Sequence, residues 1–299
     1  MNHGRMIIFS TILLVALCCT ISLPSCATNS GKQESPDPVE QQDAETAISR
    51  DSLETLMLND LRGIDDLGKY TEMYERQSAA IMSYWMGSHQ GEDQARMAET
   101  VFNEFKSLAD SLGDGSTVDM MQSGEIMCAM YRYLTASEYC GKYQDNPLYQ
   151  EEMRDWLKLE KGLNEFYSNL AQVAYWQGSI VNVIISGTMG TLADARHTDY
   201  LQLYKGGKFA ESSMPINEAR TNLIQEITDA RSVEVEADAD EGFKQVLTAL
   251  NESGDRVVEL LDKWLVSRNK LCESLGVPES HTASLIDLFS RRIQEIIEN

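Results

Sequence analysis

Histidine and closely paired cysteines are scarce in this sequence, and their scarcity argues against the commonest metal and redox chemistry. Only four of the 299 residues are histidine, at positions 3, 89, 197 and 281. No His-Glu-x-x-His or Cys-x-x-Cys spacing occurs, and such spacings are what bring zinc ligands or a redox pair within reach of each other. The sequence therefore predicts no metal site, no thiol redox centre and no cofactor.

Basic residues are also few. Lysine and arginine total 25 against 47 aspartates and glutamates, for a formal net charge of −22. A chain with this charge repels nucleic-acid phosphates and anionic lipid head groups. We therefore expect no nucleic-acid partner and favour a neutral or cationic one. The simpler reading is that the charge only keeps the protein soluble.

Motifs for nucleophilic and phosphoryl-transfer catalysis are missing too. The segment 186–190 (Ser-Gly-Thr-Met-Gly) differs from the Gly-x-Ser-x-Gly elbow, which also needs a strand before its serine. No glycine-rich phosphate loop carries the required Lys-Ser/Thr pair. Because carboxylates are so numerous, no pair stands out as general acid and base. The sequence predicts a protein that is not an enzyme.

The first 25 residues predict a bacterial lipoprotein signal peptide. Arg5 supplies a positive start, residues 6–19 are apolar apart from two hydroxyl residues, and Leu23–Ser25 precedes Cys26. This three-part pattern is typical of a secretory signal and is too short for a membrane span. Cys26 is then the predicted lipid anchor, and Ala27 is compatible with transfer to an outer membrane. An ordinary secreted protein with an incidental cysteine is the alternative.

Three cysteines remain after the anchor: Cys128, Cys140 and Cys272. The first two are 12 residues apart on one predicted helix, where they would lie about 18 Å apart along the axis. They could not then bridge each other. The sequence leaves two alternatives open, three buried thiols or one disulfide that joins Cys272 to one of the others.

Helical periodicity runs through almost the whole chain after residue 44, so the predicted fold class is all-α, a multi-helix bundle. In residues 153–177 and again in 243–275, apolar residues recur every seven positions in adjacent rows, and Gly254 interrupts one row of the second segment. Such spacing suits long helices packed nearly parallel. The β-branched run 180–185 is expected to be helical for want of partner strands.

Composition divides the chain into five predicted segments. These are the signal peptide 1–25, a flexible tether 26–43, an N-terminal helical bundle 44–231, an acidic linker 232–242 and a C-terminal helical hairpin 243–299. The bundle and the hairpin could form two helical subdomains. Asp155-Trp156-Leu157 and Lys263-Trp264-Leu265 lie midway along the two heptad helices. They suggest an internal repeat, for which chance similarity of amphipathic helices is an equal explanation.

Two stretches resemble the LprI-like lysozyme-inhibitor domain family. That family has a Trp-x-x-x-Arg-Asp/Asn segment with a nearby cysteine, then a Gly-Thr or Gly-Ser turn and a final helix with arginine. Glu160 stands where the first stretch would carry the family arginine. The positions that carry the resemblance are Trp156, Gly187, Thr188 and Arg196 in the first stretch and Trp264, Arg268 and Cys272 in the second.

The resemblance implies a lysozyme inhibitor in the cell envelope. Lysozymes are typically cationic, and an acidic domain would be steered toward them. The expected function is therefore protein binding by a membrane-anchored helical lipoprotein, with a structural or accessory subunit of an envelope complex as the alternative. The acidic segment is the speculative partner-binding surface, through Glu234, Glu236, Asp238, Asp240 and Glu241.

Overall fold

The computed structural model describes residues 47–61, 64–205, 214–232 and 240–298. In these ranges the regular structure is helical, with nine α-helices and no strand, which confirms the all-α prediction. The signal peptide, Cys26 and the tether lie outside the described residues. None of the helices in the described ranges has the length and apolar character that crossing a membrane requires.

The helices follow the predicted segments closely, including the β-branched run 180–185, whose last five residues begin a helix. The bounds are α1 Arg50–Asn59, α2 Leu67–Ser88, α3 Met97–Leu112, α4 Thr117–Lys142, α5 Pro147–Ala174, α6 Val181–Lys205, α7 Ile216–Ala230, α8 Glu241–Leu275 and α9 Glu279–Glu298.

Local sequence explains where several helices begin and end. Ser116 and Asp119 form a capping box at the start of α4, which satisfies backbone N–H groups that have no partner inside the helix. Asn146 caps α5 and is followed by Pro147, whose fixed φ suits the first turn. Helix α8 ends at Gly276, which has a φ of 67°, a conformation that glycine adopts without strain.

Three pairs of helices make the most extensive contacts: α4 lies along α6, α5 along α8, and α7 along α9. The larger hydrophobic core is built mainly from α5 to α9, and the smaller one from α1 to α4. Buried residues from both sides of the acidic segment 232–242 belong to the same larger core. The five predicted segment boundaries themselves stay predictions.

The contacts give the suggested internal repeat a structural counterpart. Within α4–α6 the first helix packs on the third, and within α7–α9 the same holds. The middle helices α5 and α8 pack on each other, and Trp156 meets Trp264 there at a ring-centroid distance of 5.7 Å. The two tryptophans on which the repeat was suggested thus occupy matching places.

The three described cysteines are buried free thiols. Cys128 and Cys140 lie on α4 as predicted, and Cys272 lies on α8. The disulfide alternative is therefore wrong. Burial raises the pKa of Cys128 and of Cys140 to about 11, so both stay protonated and unreactive at neutral pH.

Candidate functional site

Four of the residues that carry the family resemblance meet at the centre of the larger core. Trp156 on α5 contacts Trp264 on α8. The guanidinium carbon of Arg196 lies 4.4 Å from the centroid of the Trp156 ring, and that of Arg268 lies 5.7 Å from the centroid of the Trp264 ring. The structure thus brings together residues that are more than 100 positions apart in sequence.

Two carboxylates that the sequence reasoning missed hold these arginines. Arg196 Nη2 donates to Glu152 Oε2 at 2.6 Å, and its Nη1 donates to Asp199 Oδ2 at 2.8 Å. Arg268 Nη2 donates to Asp199 Oδ1, and its Nη1 lies 3.5 Å from Glu152 Oε1. Trp264 Nε1 donates to Glu152 Oε1 at 2.8 Å. We call these five residues the buried ion network.

The last helix adds two further partners to the buried ion network. His281 Nε2 lies 2.5 Å from Asp199 Oδ1, and Arg268 Nε donates to Thr282 Oγ1 at 3.3 Å. Cys272 Sγ is 4.0 Å from the same threonine oxygen. The network therefore links α5, α6, α8 and α9.

Burial and charge act in opposite directions on these groups. Burial alone would raise the pKa of Asp199, but Arg268, His281 and Arg196 outweigh it and hold that pKa below its usual value. Burial would lower the pKa of Arg196, yet Glu152 and Asp199 raise it. With Glu152, Arg196, Asp199 and Arg268 each at most 3 % exposed, these side chains lie out of contact with solvent. Their ion pairs connect α5, α6 and α8.

Gly187 and Thr188, two further positions of the resemblance, lie on α6, where the expected turn is replaced by helix. Gly187 and Thr188 sit within Val181–Lys205, so the predicted Gly-Thr turn is wrong. Here α4 and α6 approach closely: a β-carbon added at Gly190 would lie 3.0 Å from the carbonyl oxygen of Gly124. Glycine at this crossing lets the two backbones come close together.

The proposed acidic surface is described only in part. Glu234, Glu236 and Asp238 lie outside the described residues. Asp240 caps α8, because its Oδ1 accepts from the backbone N–H of Gly242 at 2.7 Å and from that of Phe243 at 3.3 Å. Glu241 is exposed in the first turn of the same helix. Asp240, one of the five predicted binding residues, therefore caps the start of α8.

A cleft of about 540 Å³ opens on the side of α5 and α8, away from the buried ion network. Its lining mixes apolar side chains with polar ones, and the polar ones include Arg132, Asn164, Glu165, Ser253 and Arg256. Arg132 is half-buried, donates to the carbonyl oxygen of Leu61 at 2.8 Å and pairs with Glu160. It thereby ties the end of α1 to α4 and α5.

A second cleft of about 530 Å³ lies beside the first, between α4 and α6. Leu61 and Met189 line both clefts, so the two clefts adjoin each other at the end of α1. The second cleft also includes Glu125, Cys128 and Asn182. We call the two adjoining clefts together the α1 groove.

Several hydrogen-bond acceptors among the residues that line the α1 groove have no partner in the described part of the chain. Glu125 is half-buried and Glu252 is exposed, and neither makes an ion pair or hydrogen bond among the described residues. The side-chain oxygen of Asn164 is fully buried and also accepts no hydrogen bond there. Buried polar atoms usually have a partner, so this oxygen is an exception. No grouping of histidine, cysteine or acidic side chains suited to a metal ion occurs in the described ranges.

The heptad rows contained a signal for Glu152, one of the two carboxylates that the sequence reasoning missed, and for the burial of Arg268. Glu152 occupies the row that continues with Leu159, Phe166 and Val173, and Arg268 occupies the row of Leu247, Leu261 and Leu275. A charge in an apolar row predicts a buried ionic partner. The groove residues had no comparable signal, because their positions on half-buried helix faces suit solvent equally well.

No family model matches the chain, and no curated protein or solved structure shows significant similarity to it.

Proposed function

We propose that this protein is an envelope-anchored helical lipoprotein that binds a cationic protein, with the α1 groove as the contact surface. The observation that carries the proposal is the pair of unpaired carboxylates, Glu125 and Glu252, one in each of two adjoining clefts. A ligand with ammonium or guanidinium groups would pair with them. The anchor at Cys26 would hold the domain at the membrane, where wall-degrading enzymes act.

The overall charge supports the same kind of partner. At −22 the chain attracts cationic proteins over distances of about a Debye length, roughly 8–10 Å at ordinary ionic strength. Electrostatic attraction of this kind mainly raises the association rate. Lysozyme is the first candidate partner, because it is cationic and because of the family resemblance of the Trp264–Cys272 stretch.

Lysis of a cell-wall suspension by lysozyme tests the proposal. We expect the chain without its signal peptide, residues 27–299, to slow lysis in low salt and to lose this effect as salt is added, because salt screens exposed charges. Polyglutamate of equal total charge is the control for nonspecific attraction. Undiminished lysis at a large molar excess in low salt would rule lysozyme out as the partner.

A further inference from the structure

We propose that the second cleft, between α4 and α6, is a binding pocket for a small amphipathic amine, a molecule with one ammonium group on an apolar body. This inference goes beyond the proposed protein contact, because it concerns one cleft and a free small molecule. The volume of the cleft, about 530 Å³, is in the range of small-molecule pockets, roughly 300–1,000 Å³.

Apolar side chains form much of the wall of the second cleft. They come from the end of α1 and the residues just after it, from α4 and from α6: Leu58, Leu61, Met121, Ile185 and Met189. Each of them is half-buried, so each still has area that a ligand can cover. Removing apolar area from water is favourable, and methionine adapts its shape to a ligand because it is unbranched and polarizable. The walls therefore suit an apolar body.

Glu125 is the only charged residue among the described residues that line this cleft. It is half-buried and has no ion pair or hydrogen bond in the described part of the chain. The cationic residues of the adjoining first cleft, Arg132, Lys161 and Arg256, each pair with a carboxylate of their own. A partly buried carboxylate attracts a cation more strongly than one in bulk water, because the local dielectric constant is lower. The second cleft therefore selects a cation.

The helix ends at this cleft do not decide the sign of the ligand charge. Asn59 is the last residue of α1 and Asn182 is the second residue of α6, and both line the cleft. The C-terminal end of a helix favours a cation and the N-terminal end favours an anion. Because these two contributions oppose each other, the carboxylate of Glu125 sets the preference.

A single carboxylate also limits the ligand to one ammonium group. A second ammonium group on the same ligand would lie against the apolar wall without a counter-charge. Taking a charge out of water without a partner costs free energy. We therefore expect a monoamine to bind more tightly than a diamine of the same length.

Methyl NMR spectra of residues 27–299, with carbon-13 in the methionine methyl groups, test this inference. The probe is hexylamine, which is protonated at neutral pH as a lysine side chain is, and the companions are 1-hexanol, hexanoate and hexane-1,6-diamine. We expect hexylamine to shift the signals of Met121 and Met189 saturably, the alcohol and the diamine to bind more weakly, and hexanoate to cause no shift. Met86 is exposed on α2 outside both clefts, so its signal should not move.

Variants of the chain connect binding to Glu125. E125Q should weaken the binding of hexylamine about tenfold, as the loss of one hydrogen bond to a charged group would, and should leave the binding of 1-hexanol unchanged. Glu273 is an exposed acid near the end of α8, outside both clefts, so E273Q is the matched control and should bind both compounds as the parent chain does.

A second variant tests the same charge without removing it. M121K places an ammonium group four residues before Glu125 on α4, where the two side chains can pair. It should abolish the binding of hexylamine, because the pocket then supplies its own cation. Thermal unfolding of each variant shows that the fold is kept.

Three results would overturn the inference. They are equal binding of hexylamine by E125Q and the parent chain, binding of hexanoate as tight as that of hexylamine, and a shift of the Met86 signal equal to those of Met121 and Met189.

The outcome for the pocket is separable from that for the proposed function. If hexylamine binds through Glu125 while lysozyme is not inhibited, the pocket stands and lysozyme is the wrong partner. If lysozyme is inhibited and hexylamine does not bind, the proposed function stands and the second cleft is not an amine pocket.

Discussion

Helices α5 and α8 share a pattern of apolar residues, and they carry buried charges of opposite sign at matching positions of that pattern. Each carries rows of apolar residues at heptad spacing and a tryptophan near its middle, and the two helices pack along each other. Four residues after the tryptophan, α5 has Glu160 and α8 has Arg268. Both side chains are buried, so each needs an ionic partner from another helix.

The partners of these two side chains differ. Glu160 pairs with Arg132 on α4, beside the α1 groove. Arg268 reaches Glu152 on α5 and Asp199 on α6, deep in the core. The comparison teaches that a buried charge can connect a helix to a second helix that does not lie along it, as Glu160 connects α5 to α4 and Arg268 connects α8 to α6.

Removing the charge on α8 should have the largest effect. R268M keeps an unbranched apolar stem but leaves Asp199 and Glu152 short of one counter-charge in a closed core. We expect a loss of about 3–5 kcal/mol in the free energy of unfolding, as for other broken buried pairs. Urea unfolding followed by circular dichroism measures it.

Lys270 provides the control for that substitution. It lies on the same helix and pairs with Glu151 at 2.7 Å, with both side chains at least 40 % exposed. K270M should cost less than about 1 kcal/mol, because exposed ion pairs contribute little. Similar losses for R268M and K270M would mean that the buried ion network does not stabilise the fold.

Removing the charge on α5 should have a smaller effect. E160Q keeps the shape of the side chain but leaves Arg132 with the carbonyl oxygen of Leu61 as its strongest partner. We expect a loss of about 2 kcal/mol in the free energy of unfolding, in the range of hydrogen bonds to charged groups. Thermal unfolding compares E160Q with E165Q, which breaks an exposed pair with Arg256. A larger loss for E165Q would contradict the expected order.

Substitution of glycine by alanine should have different effects at the contact of α5 with α8 and at the contact of α4 with α6. A β-carbon added at Gly124 would lie 2.6 Å from the carbonyl carbon of Ser186, which is backbone, so G124A should cost about 1–3 kcal/mol. At Gly162 it would meet the end of the Leu260 side chain at 2.8 Å, which can turn away.

In G162A, the higher helix propensity of alanine, about 1 kcal/mol, offsets this adjustment. G162A should therefore leave the midpoint of urea unfolding unchanged or slightly raised, whereas G124A lowers it. Equal shifts for the two variants would show that the two helix contacts are equally tight.

Local sequence patterns predicted the helices well because caps and periodicity act over a few residues. Asn146-Pro147 marked the start of α5, and the rows of residues 243–275 marked almost the whole of α8. The run 180–185 showed that β-branched residues do not make a strand where no partner strand exists.

These local patterns do not predict which residues far apart in sequence contact each other. Nothing near Arg196 in sequence points to Glu152, which is 44 positions away, or to Arg268, which is 72 positions away. The predicted Gly-Thr turn is wrong for the same reason, because its residues belong to α6, which crosses the distant helix α4 where Gly190 lies close to Gly124. Which residues line the groove depends on how α4, α5, α6 and α8 pack together. The sequence of a single helix does not predict that packing.

The arrangement of the buried ion network also bears on the order in which the molecule can fold during synthesis. His281 and Thr282, its last two partners, lie on the final helix. A chain that emerges N-terminus first has made about nine-tenths of its length before these residues are available. Until then Asp199 lacks His281 and Arg268 lacks Thr282, so the complete set of contacts around these two charges forms only after the last helix has been made.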